Sequence, residues 1–335
     1  MLDDQLIVVT GAAGFIGSNL VKGLNARGAR RVIAVDDLTA GDKFLNLVDC
    51  DVYDYLDKDE FLARLETGDF DDEIGAILHQ GACSDTMERD GRYMLRNNYR
   101  YSVSLLEHCQ TNDVPFLYAS SASVYGGGSV FREDRRNESP LNVYGYSKLL
   151  FDEYVRRTLA DRTSPIVGFR YFNVYGPRER HKGRMASVAL HFFDEYTKEG
   201  RVRLFEGSGG YADGEQRRDF VHVDDVVAAN LWFLERSRQS GVFNLGTGNA
   251  ATFNAMAASV INAIESCRSG AQRDLATLQR ERAIEYVPMP AALTGKYQSY
   301  TEADLTALRG AGYGKPFLDV AAGAARYVES LMARG

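Results

Sequence analysis

A strand–turn–helix pattern with three glycines constrains the fold of this chain more than any other feature of its sequence. Residues 6–9 are four consecutive apolar residues, which predict a buried parallel strand, and residues 18–27 carry apolar side chains at helical spacing. Gly11, Gly14 and Gly17 lie at the junction of these two segments. Glycines so placed allow a tight turn, close approach of the backbone to a pyrophosphate, and close packing of the helix on the strand. The pattern predicts a dinucleotide-binding unit.

Any tight strand-to-helix turn can use glycines, so the glycine pattern alone does not establish a dinucleotide-binding unit. A second apolar run that ends in an acidic residue supports this interpretation. The run 31–36 ends at Asp36, 19 positions after Gly17, where a carboxylate would reach the hydroxyls of an adenosine ribose. A polar turn follows and carries Lys43, which is either a cation for a phosphate on that ribose or a solvated loop residue. Lys58, in the next predicted helix, has the same two interpretations.

Strands and helices alternate at regular distance as far as residue 172, which predicts a parallel sheet with right-handed crossovers. Beyond it the elements become shorter, and 219–247 has the pattern of a return to the sheet. We therefore predict an α/β fold, a Rossmann-like doubly wound parallel sheet with a smaller α/β substrate-binding lobe. Residues 1–172 with about 219–247 are assigned to the dinucleotide-binding domain, and about 173–218 with 248–335 to the substrate domain.

Composition excludes several classes of function. The chain of 335 residues is long enough for two lobes, and its formal net charge of −7 argues against a nucleic-acid-binding face. We find no basic and apolar leader and no apolar run of about 18 residues, so we expect a soluble, cytoplasmic protein that does not bind membranes. Cys50, Cys83, Cys109 and Cys267 are widely scattered, so we expect reduced, mostly buried thiols and no metal site.

Tyr144 and Lys148 form the candidate catalytic pair. They lie four positions apart on one face of a predicted helix, so their side chains can converge on one site. A neighbouring ammonium favours the phenolate, which would lower the pKa of the tyrosine toward the working pH and make it a general base. Ser121, after the preceding predicted strand, could hydrogen-bond the substrate oxygen that loses its proton. The alternative is a tyrosine and a lysine on a helix surface with a capping serine.

These motifs resemble those of the extended short-chain dehydrogenase/reductase superfamily over essentially the whole chain. The matching elements are Gly11-x-x-Gly14-x-x-Gly17, Ser121, Tyr144-x-x-x-Lys148 and Arg170-Tyr-Phe-Asn-Val-Tyr-Gly-Pro177. The last of these is specific to members that act on nucleotide sugars. Within the superfamily, the chain resembles the ADP-heptose 6-epimerases in six segments, which are residues 41–47, 79–84, 140–148, 181–187, 204–208 and 295–298.

The resemblance implies epimerisation at C6″ of an ADP-heptose, by transient oxidation to a ketone and re-reduction with tightly bound NADP, NAD being the less favoured cofactor. Hydride removal followed by hydride return to the other face of the ketone leaves no net redox change, and no metal is required. The resemblance further implies a supply of heptose for the lipopolysaccharide core and a homo-oligomer, namely a pentamer.

The resemblance also assigns residues, position by position. Tyr144 and Lys182 are implied as the two acid/base residues, beside Ser121 and Lys148. The residues implied at the cofactor, with the three glycines of the turn, are Phe15, Ile16, Asp36, Asp37, Lys43, Lys58, Gln80, Gly81, Ala82, Cys83, Ser84, Asn97, Lys148, Val174 and Lys182. Those implied at the nucleotide-sugar substrate are Ser121, Asn173, His191, Phe205, Glu206, Gly207, Ser208, Arg218 and Tyr297.

Three departures from the family pattern bear on these assignments. Arg184 stands where a substrate-binding serine is usual, and we assign it to the substrate. Asp37 replaces a more usual amide-type residue and adds negative charge near the ribose, which opposes NADP electrostatically. The loops 209–216 and 266–282 are longer than those of the family.

Alternatives remain open for one residue and for the whole chain. Lys182 is either a second base, with its pKa lowered by the cations at His181 and Arg184, or a pyrophosphate clamp. A nucleotide-sugar 4,6-dehydratase is disfavoured because the segment 121–123 (Ser-Ala-Ser) holds no carboxylate to protonate a leaving hydroxyl. A UDP-hexose 4-epimerase is harder to exclude by chemistry. A non-catalytic dinucleotide sensor would need neither the Tyr–Lys pair nor a pocket for a sugar nucleotide.

Overall fold

The computed structural model describes residues 5–39, 41–70, 72–236, 238–290 and 298–333. In chain order the strands are β1 (Leu6–Thr10), β2 (Val32–Asp36), β3 (Asp54–Asp57), β4 (Ile74–His79), β5 (Phe116–Ser121), β6 (Ile166–Tyr171), β7 (Asn173–Tyr175), β8 (Val202–Phe205), β9 (Arg217–Arg218), β10 (Phe220–His222), β11 (Gly241–Leu245), β12 (Ala251–Thr252) and β13 (Ile284–Val287). The α-helices are α1 (Phe15–Asn25), α2 (Lys58–Glu66), α3 (Gly91–Leu95), α4 (Tyr101–Thr111), α5 (Val143–Thr158), α6 (Val188–Glu199), α7 (Val223–Arg236), α8 (Phe253–Arg268), α9 (Leu275–Arg280), α10 (Thr306–Gly310) and α11 (Val320–Met332).

Seven strands form one parallel sheet in the order β11-β6-β5-β4-β1-β2-β3. Every residue of β1 and β2 is buried, as expected of apolar strands that helices cover on both faces. The strands β2 and β3 extend the sheet to one side of β1, whereas β4, β5, β6 and β11 extend it to the other. The predicted doubly wound parallel α/β fold is confirmed, and its strand order reverses between β1 and β4.

Separate apolar cores pack against the sheet. One contains Leu20 and Leu24 of α1 with Leu231 of α7, which pack with side chains of β1 and β2. Another contains Phe61 of α2 and Phe151 of α5, which pack with the alternate side chains of the same strands. Because successive side chains of a strand point to opposite faces, these two cores hold the central strands from both sides.

The remaining strands form three two-stranded pairs outside the large sheet. β7 pairs with β10 and β8 with β13 in parallel, and β9 pairs with β12 antiparallel. The helices α6, α8 and α11 pack around a further core that includes Phe192 and Tyr327.

The return to the sheet predicted at 219–247 is made by β11, since β10 pairs with β7. The two-domain boundaries stay a prediction. Leu308 and Tyr313, from the segment assigned to the substrate lobe, join the core beside α1.

The four cysteines are free thiols. Cys109 is buried, Cys50 and Cys83 are half-buried, and Cys267 is exposed, so the expectation of mostly buried thiols holds fully for Cys109 alone. In the part of the chain that the structure describes, no group of three or more His, Cys, Asp or Glu side chains is arranged to hold a metal ion. No helix among those residues combines the length and the apolar character needed to cross a bilayer.

The helical stretch expected from about 93 to 109 is present, since residues 91–111 are helical throughout. Within it a π-helical turn, Arg96–Arg100, which the sequence did not predict, joins α3 to α4. Asn98 in this turn is buried, and its side chain accepts a hydrogen bond from Cys83 N at 2.8 Å and donates one to Cys83 O at 2.9 Å. Apolar spacing cannot report such a contact, because it depends on a loop that follows another strand.

Candidate active site

A cavity of about 880 Å³ opens at the carboxyl edge of the large sheet, where β1 and β4 end side by side. Its wall includes residues at or just after the ends of four strands, namely Thr10, Gln80, Ser121 and Phe172. Open α/β sheets bind ligands at this place, outside the strand ends where the strand order reverses. The volume lies in the range of small-molecule and cofactor sites, roughly 300–1,000 Å³.

This cavity gathers most of the predicted site residues. Its wall contains the four predicted catalytic residues, Ser121, Tyr144, Lys148 and Lys182. The predicted cofactor residues at the wall are Gly11, Gly14, Phe15, Ile16, Gly17, Asp36, Asp37, Lys43, Lys58, Gln80, Gly81, Ala82, Cys83, Ser84, Asn97, Lys148, Val174 and Lys182. Of the predicted substrate residues, Asn173 and Arg184 lie at the wall beside Ser121.

The other predicted substrate residues do not line this cavity. His191 is exposed on α6, and Phe205–Ser208 form the end of β8 and the turn after it. Arg218 lies with its guanidinium 5.7 Å from the ring centre of Phe253, which does line the cavity. Tyr297 lies outside the described residues. The substrate roles of these residues stay predictions.

The glycine turn between β1 and α1 presents backbone to the cavity. Gly11 has a φ of +65°, and a Cβ at Gly17 would come within 2.0 Å of Gly11 O. Gly14 is the N-cap of α1 and lines the cavity. The first turn of α1 carries no acidic residue, so the positive end of the helix dipole faces the cavity without a competing carboxylate of its own. These features fit the pyrophosphate of a dinucleotide.

Gly17→Ala is expected to lower the free energy of unfolding by about 1–3 kcal/mol, because the backbone must move to make room for the methyl group. The midpoint of urea unfolding measures the effect. Gly41→Ala is the matched control, since a Cβ at that position meets nothing within 4 Å. Equal midpoints for the two variants would show that the turn accepts a side chain and that the packing argument is wrong.

Two carboxylates and two lysines meet after the end of β2. Asp36 is buried, accepts a hydrogen bond from Ala13 N at 2.8 Å and pairs with Lys43 at 2.5 Å. Lys58 Nζ lies 3.6 Å from the carboxylate of Asp37. Both lysines line the cavity, and each faces a carboxylate of the protein itself. A phosphate on an adenosine ribose would therefore compete with these carboxylates for the two cations.

The start of α5 brings Tyr144 to Ser121. Asn142 caps the helix, and its side chain accepts a hydrogen bond from Gly145 N at 2.8 Å. Gly145 packs directly on the 3₁₀ turn Ala122–Tyr125 that follows β5, since a Cβ at Gly145 would come within 2.8 Å of Ser123 O. With the first turn of α5 held so closely, the hydroxyl of Tyr144 lies beside the side chain of Ser121.

Burial dominates the ionisation of the predicted Tyr–Lys pair. Lys148 Nζ donates to Ala119 O at 2.9 Å, and burial lowers the pKa of Lys148 to about 8, opposed by the charge of Asp152. Burial raises the pKa of Tyr144, and the polar contact with the side chain of Ser121 acts in the opposite direction. The expectation that Lys148 lowers the pKa of Tyr144 is therefore wrong for this structure, because the loss of solvent around the phenol outweighs the opposing interactions.

Lys182 reaches the cavity from the 3₁₀ turn Arg180–Met185. Its Nζ lies 4.9 Å from the ring centre of Phe15 and 3.7 Å from the carboxylate of Glu179. Burial lowers the pKa of Lys182, and Glu179 raises it. The predicted lowering is confirmed in direction, but burial causes it rather than neighbouring cations. Arg184 is instead paired with Asp85 at 2.8 Å.

Sequence reasoning missed part of the cavity wall. Phe220, Phe253, Gln298 and Thr301 also line the cavity, and the rings of Phe220 and Phe253 meet edge to face at 5.8 Å. Phe220 lies in a short apolar strand and Phe253 at the start of an apolar helix, so their spacing is that of core residues. No signal in the sequence distinguishes them from the core, because the pairing of β10 with β7 brings Phe220 to this edge.

Comparisons with known proteins find similarity over nearly the whole chain. The profile of the NAD dependent epimerase/dehydratase family matches residues 7–246. The ADP-L-glycero-D-manno-heptose-6-epimerase of Thiobacillus denitrificans is 62% identical over 331 residues, which cover 98% of this chain and 99% of the relative. The crystal structure of the Helicobacter pylori ADP-L-glycero-D-manno-heptose-6-epimerase has a TM-score of 0.81 at 30% identity, covering 99% of this chain and 98% of that one. The UDP-glucose 4-epimerase of Thermotoga maritima, with UDP-glucose, has a TM-score of 0.77 at 27% identity, covering 98% and 99%.

Proposed function

The chain belongs to the NAD dependent epimerase/dehydratase family, and on that premise we propose that it converts ADP-D-glycero-D-manno-heptose to ADP-L-glycero-D-manno-heptose by inverting C6″. One observation carries the proposal: Ser121, Tyr144, Lys148 and Lys182 meet at one cavity beside the glycine turn, in a chain 62% identical to a relative of that activity. The product would supply heptose for the lipopolysaccharide core.

NADP is the proposed cofactor, with NAD less favoured. When bound, the nicotinamide dinucleotide supplies a hydride acceptor and donor, so the stereocentre can be inverted with no net oxidation. The backbone of the turn at Gly14 would hold the pyrophosphate, and Asp36 lies where the adenosine ribose is expected. Lys43 and Lys58, which line the same end of the cavity, would provide positive charge for a 2′-phosphate.

The side chains divide the proton transfers. Tyr144 would take the proton of the C6″ hydroxyl as the ketone forms, while Ser121 hydrogen-bonds the same oxygen. With its pKa near 8, Lys148 is mainly charged at neutral pH and would hold a positive charge at the cavity wall one helical turn from Tyr144 during that step. After oxidation the ketone presents its other face to the cofactor, and a single acid/base residue on one side of the sugar is badly placed for both proton transfers. Lys182, on a different element, would serve the second face.

Incubation of the purified protein with ADP-D-glycero-D-manno-heptose tests this function. The expected result is conversion to the epimer without added cofactor and with no accumulation of NADPH. NMR of the C6″ configuration detects the conversion. Absence of conversion would contradict the proposal. Conversion of UDP-glucose in its place would favour a 4-epimerase, and cofactor binding with no turnover of either sugar nucleotide would favour a dinucleotide sensor.

Lys43→Ala is expected to weaken NADP binding by roughly 10–100-fold relative to NAD, since a hydrogen bond to a charged group contributes about 1.5–3 kcal/mol and only NADP carries the 2′-phosphate. Calorimetric titration of the cofactor-free protein with each dinucleotide measures the difference. Lys22→Ala is the control, because Lys22 pairs with Asp49 on the surface and does not line the cavity. An equal loss for both cofactors would make Lys43 a structural partner of Asp36.

We also propose that the protein is a cytoplasmic homo-oligomer, a pentamer, that binds neither nucleic acid nor membranes. The support is the family resemblance and the net charge of −7. Light scattering of the purified protein measures the subunit number, and a monomer at micromolar concentration would contradict the proposed assembly.

A further inference from the structure

Glu179 is a buried carboxylate in the loop between β7 and α6. It is fully buried and accepts hydrogen bonds from Ser187 N at 2.7 Å, from Ser187 Oγ at 2.6 Å and from Gly176 N at 3.4 Å. The hydroxyl of Tyr327 on α11 also lies beside it. These contacts fix the carboxylate against the start of α6. The donors from Ser187 and Gly176 are neutral, however, and a buried negative charge also requires a cation.

Lys182 is the cation that faces this carboxylate, with its Nζ 3.7 Å from Glu179 Oε2. The arginines of the same loop form ion pairs with other carboxylates among the described residues. Arg178 pairs with Asp49, Arg180 with Asp194 and Arg184 with Asp85. Removal of Glu179 would therefore leave Lys182 without its ion pair and would leave the arginine pairs in place.

We propose that Glu179 is a positioning residue for Lys182: it holds the ammonium at the cavity wall and keeps a proton on it, so that Lys182 enters the reaction as an acid. This inference rests on the proposed function, in which Lys182 is one of two acid/base residues. As hydride returns to the carbon of the ketone, the oxygen needs a proton, and Lys182 Nζ supplies it. Tyr144 releases the proton it took to solvent, and Lys182 regains one from solvent, so protons balance over the cycle.

The groups around Lys182 explain why Glu179 controls its protonation. Burial lowers the pKa of Lys182, and the charge of Glu179 raises it. Burial, Lys43 and Lys182 together lower the pKa of His181, which disfavours a second positive charge beside Lys182. From α1, the ring of Phe15 faces the ammonium at 4.9 Å and carries no formal charge. Among the residues that the structure describes, Glu179 is thus the carboxylate that pairs with Lys182.

Glu179→Gln tests the proposal because it keeps the size of the side chain and removes its charge. An opposite charge within a few ångströms shifts a pKa by about 1–3 units. The basic limb of the pH profile of kcat is therefore expected to move to lower pH by about 1–3 units. Independently of activity, ¹³C reductive methylation and NMR titration, with the Lys182 signal assigned from Lys182→Arg, are expected to show a lower midpoint for Lys182 by a similar amount.

Two further variants make the result decisive. Glu179→Asp keeps the negative charge on a shorter side chain. Its Lys182 titration midpoint is therefore expected between those of the wild type and Glu179→Gln. If Glu179→Gln does not fold, Glu179→Asp takes its place in the test. Asp194→Asn removes the exposed carboxylate that pairs with Arg180 and should move neither readout. The proposal would be overturned if Glu179→Gln lowered activity at every pH without moving the basic limb of the pH profile of kcat. It would also be overturned if the Lys182 titration midpoint were unchanged. Wild-type protein without epimerase activity would overturn the proposed function, while the midpoint would still decide whether Glu179 holds the proton on Lys182.

Discussion

Tyr144→Phe is expected to lower turnover of ADP-heptose by about 10²–10⁴-fold, the range for loss of a general acid/base group, while the cofactor stays bound. The reason is geometric. The phenol lies at the cavity wall beside the side chain of Ser121, and Lys148 Nζ is held one helical turn further along α5. Phenylalanine removes the oxygen that exchanges the proton and keeps the ring that fills the space. Steady-state kinetics with the content of bound dinucleotide measured in parallel provides the test.

Tyr146→Phe is the matched control for this change. Tyr146 lies on the same helix, is 47% exposed and is absent from the cavity wall, so its variant should keep wild-type turnover. A Tyr144→Phe protein with near-wild-type turnover would refute the assignment of the catalytic tyrosine. If in that case Tyr146→Phe were the slow variant, the reacting oxygen would belong to Tyr146 and the structure would need a different orientation of α5.

Lys182→Met is expected to lower kcat by at least about 100-fold with little change in the affinity for ADP-heptose, because a lost transition-state role lowers kcat. The position of Lys182 supports this outcome. Its ammonium packs at 4.9 Å over the ring of Phe15, at the start of α1 where the cofactor is expected, and the Lys182 side chain is only 23% exposed. Methionine keeps an unbranched chain of similar length against that ring and removes the proton-bearing nitrogen.

The competing role of Lys182 predicts a different kinetic pattern. A clamp that binds the pyrophosphate equally in the ground state and the transition state would raise KM and leave kcat unchanged. That result would contradict the two-group mechanism, and Tyr144 would then serve both faces alone or through a water molecule. Lys198→Met is the control, since Lys198 is exposed near the end of α6 and does not line the cavity.

Patterns that repeat over a few residues were sufficient to predict the fold and the centre of the site. The run of apolar residues before Gly11 predicted β1, and the alternation of strands and helices predicted the parallel sheet. The i, i+4 spacing of Tyr144 and Lys148 predicted that both reach one place, as the cavity wall bears out. These inferences succeed because strand and helix periods are local properties of the backbone. The strand order then follows from a small set of permitted crossovers.

Tertiary packing settled the properties that depend on solvent and on distant partners. The pKa of Tyr144 rises rather than falls because its surroundings exclude water, and the pKa of Lys182 is lowered by burial rather than by the adjacent arginine. Asn98, in the π-helical turn between α3 and α4, hydrogen-bonds the backbone of Cys83, which follows a distant strand. Phe253 is a wall residue because α8 begins at the cavity. A sequence lists the charges and rings but not how much solvent each retains, and electrostatic energies in proteins follow solvent exposure as closely as they follow distance.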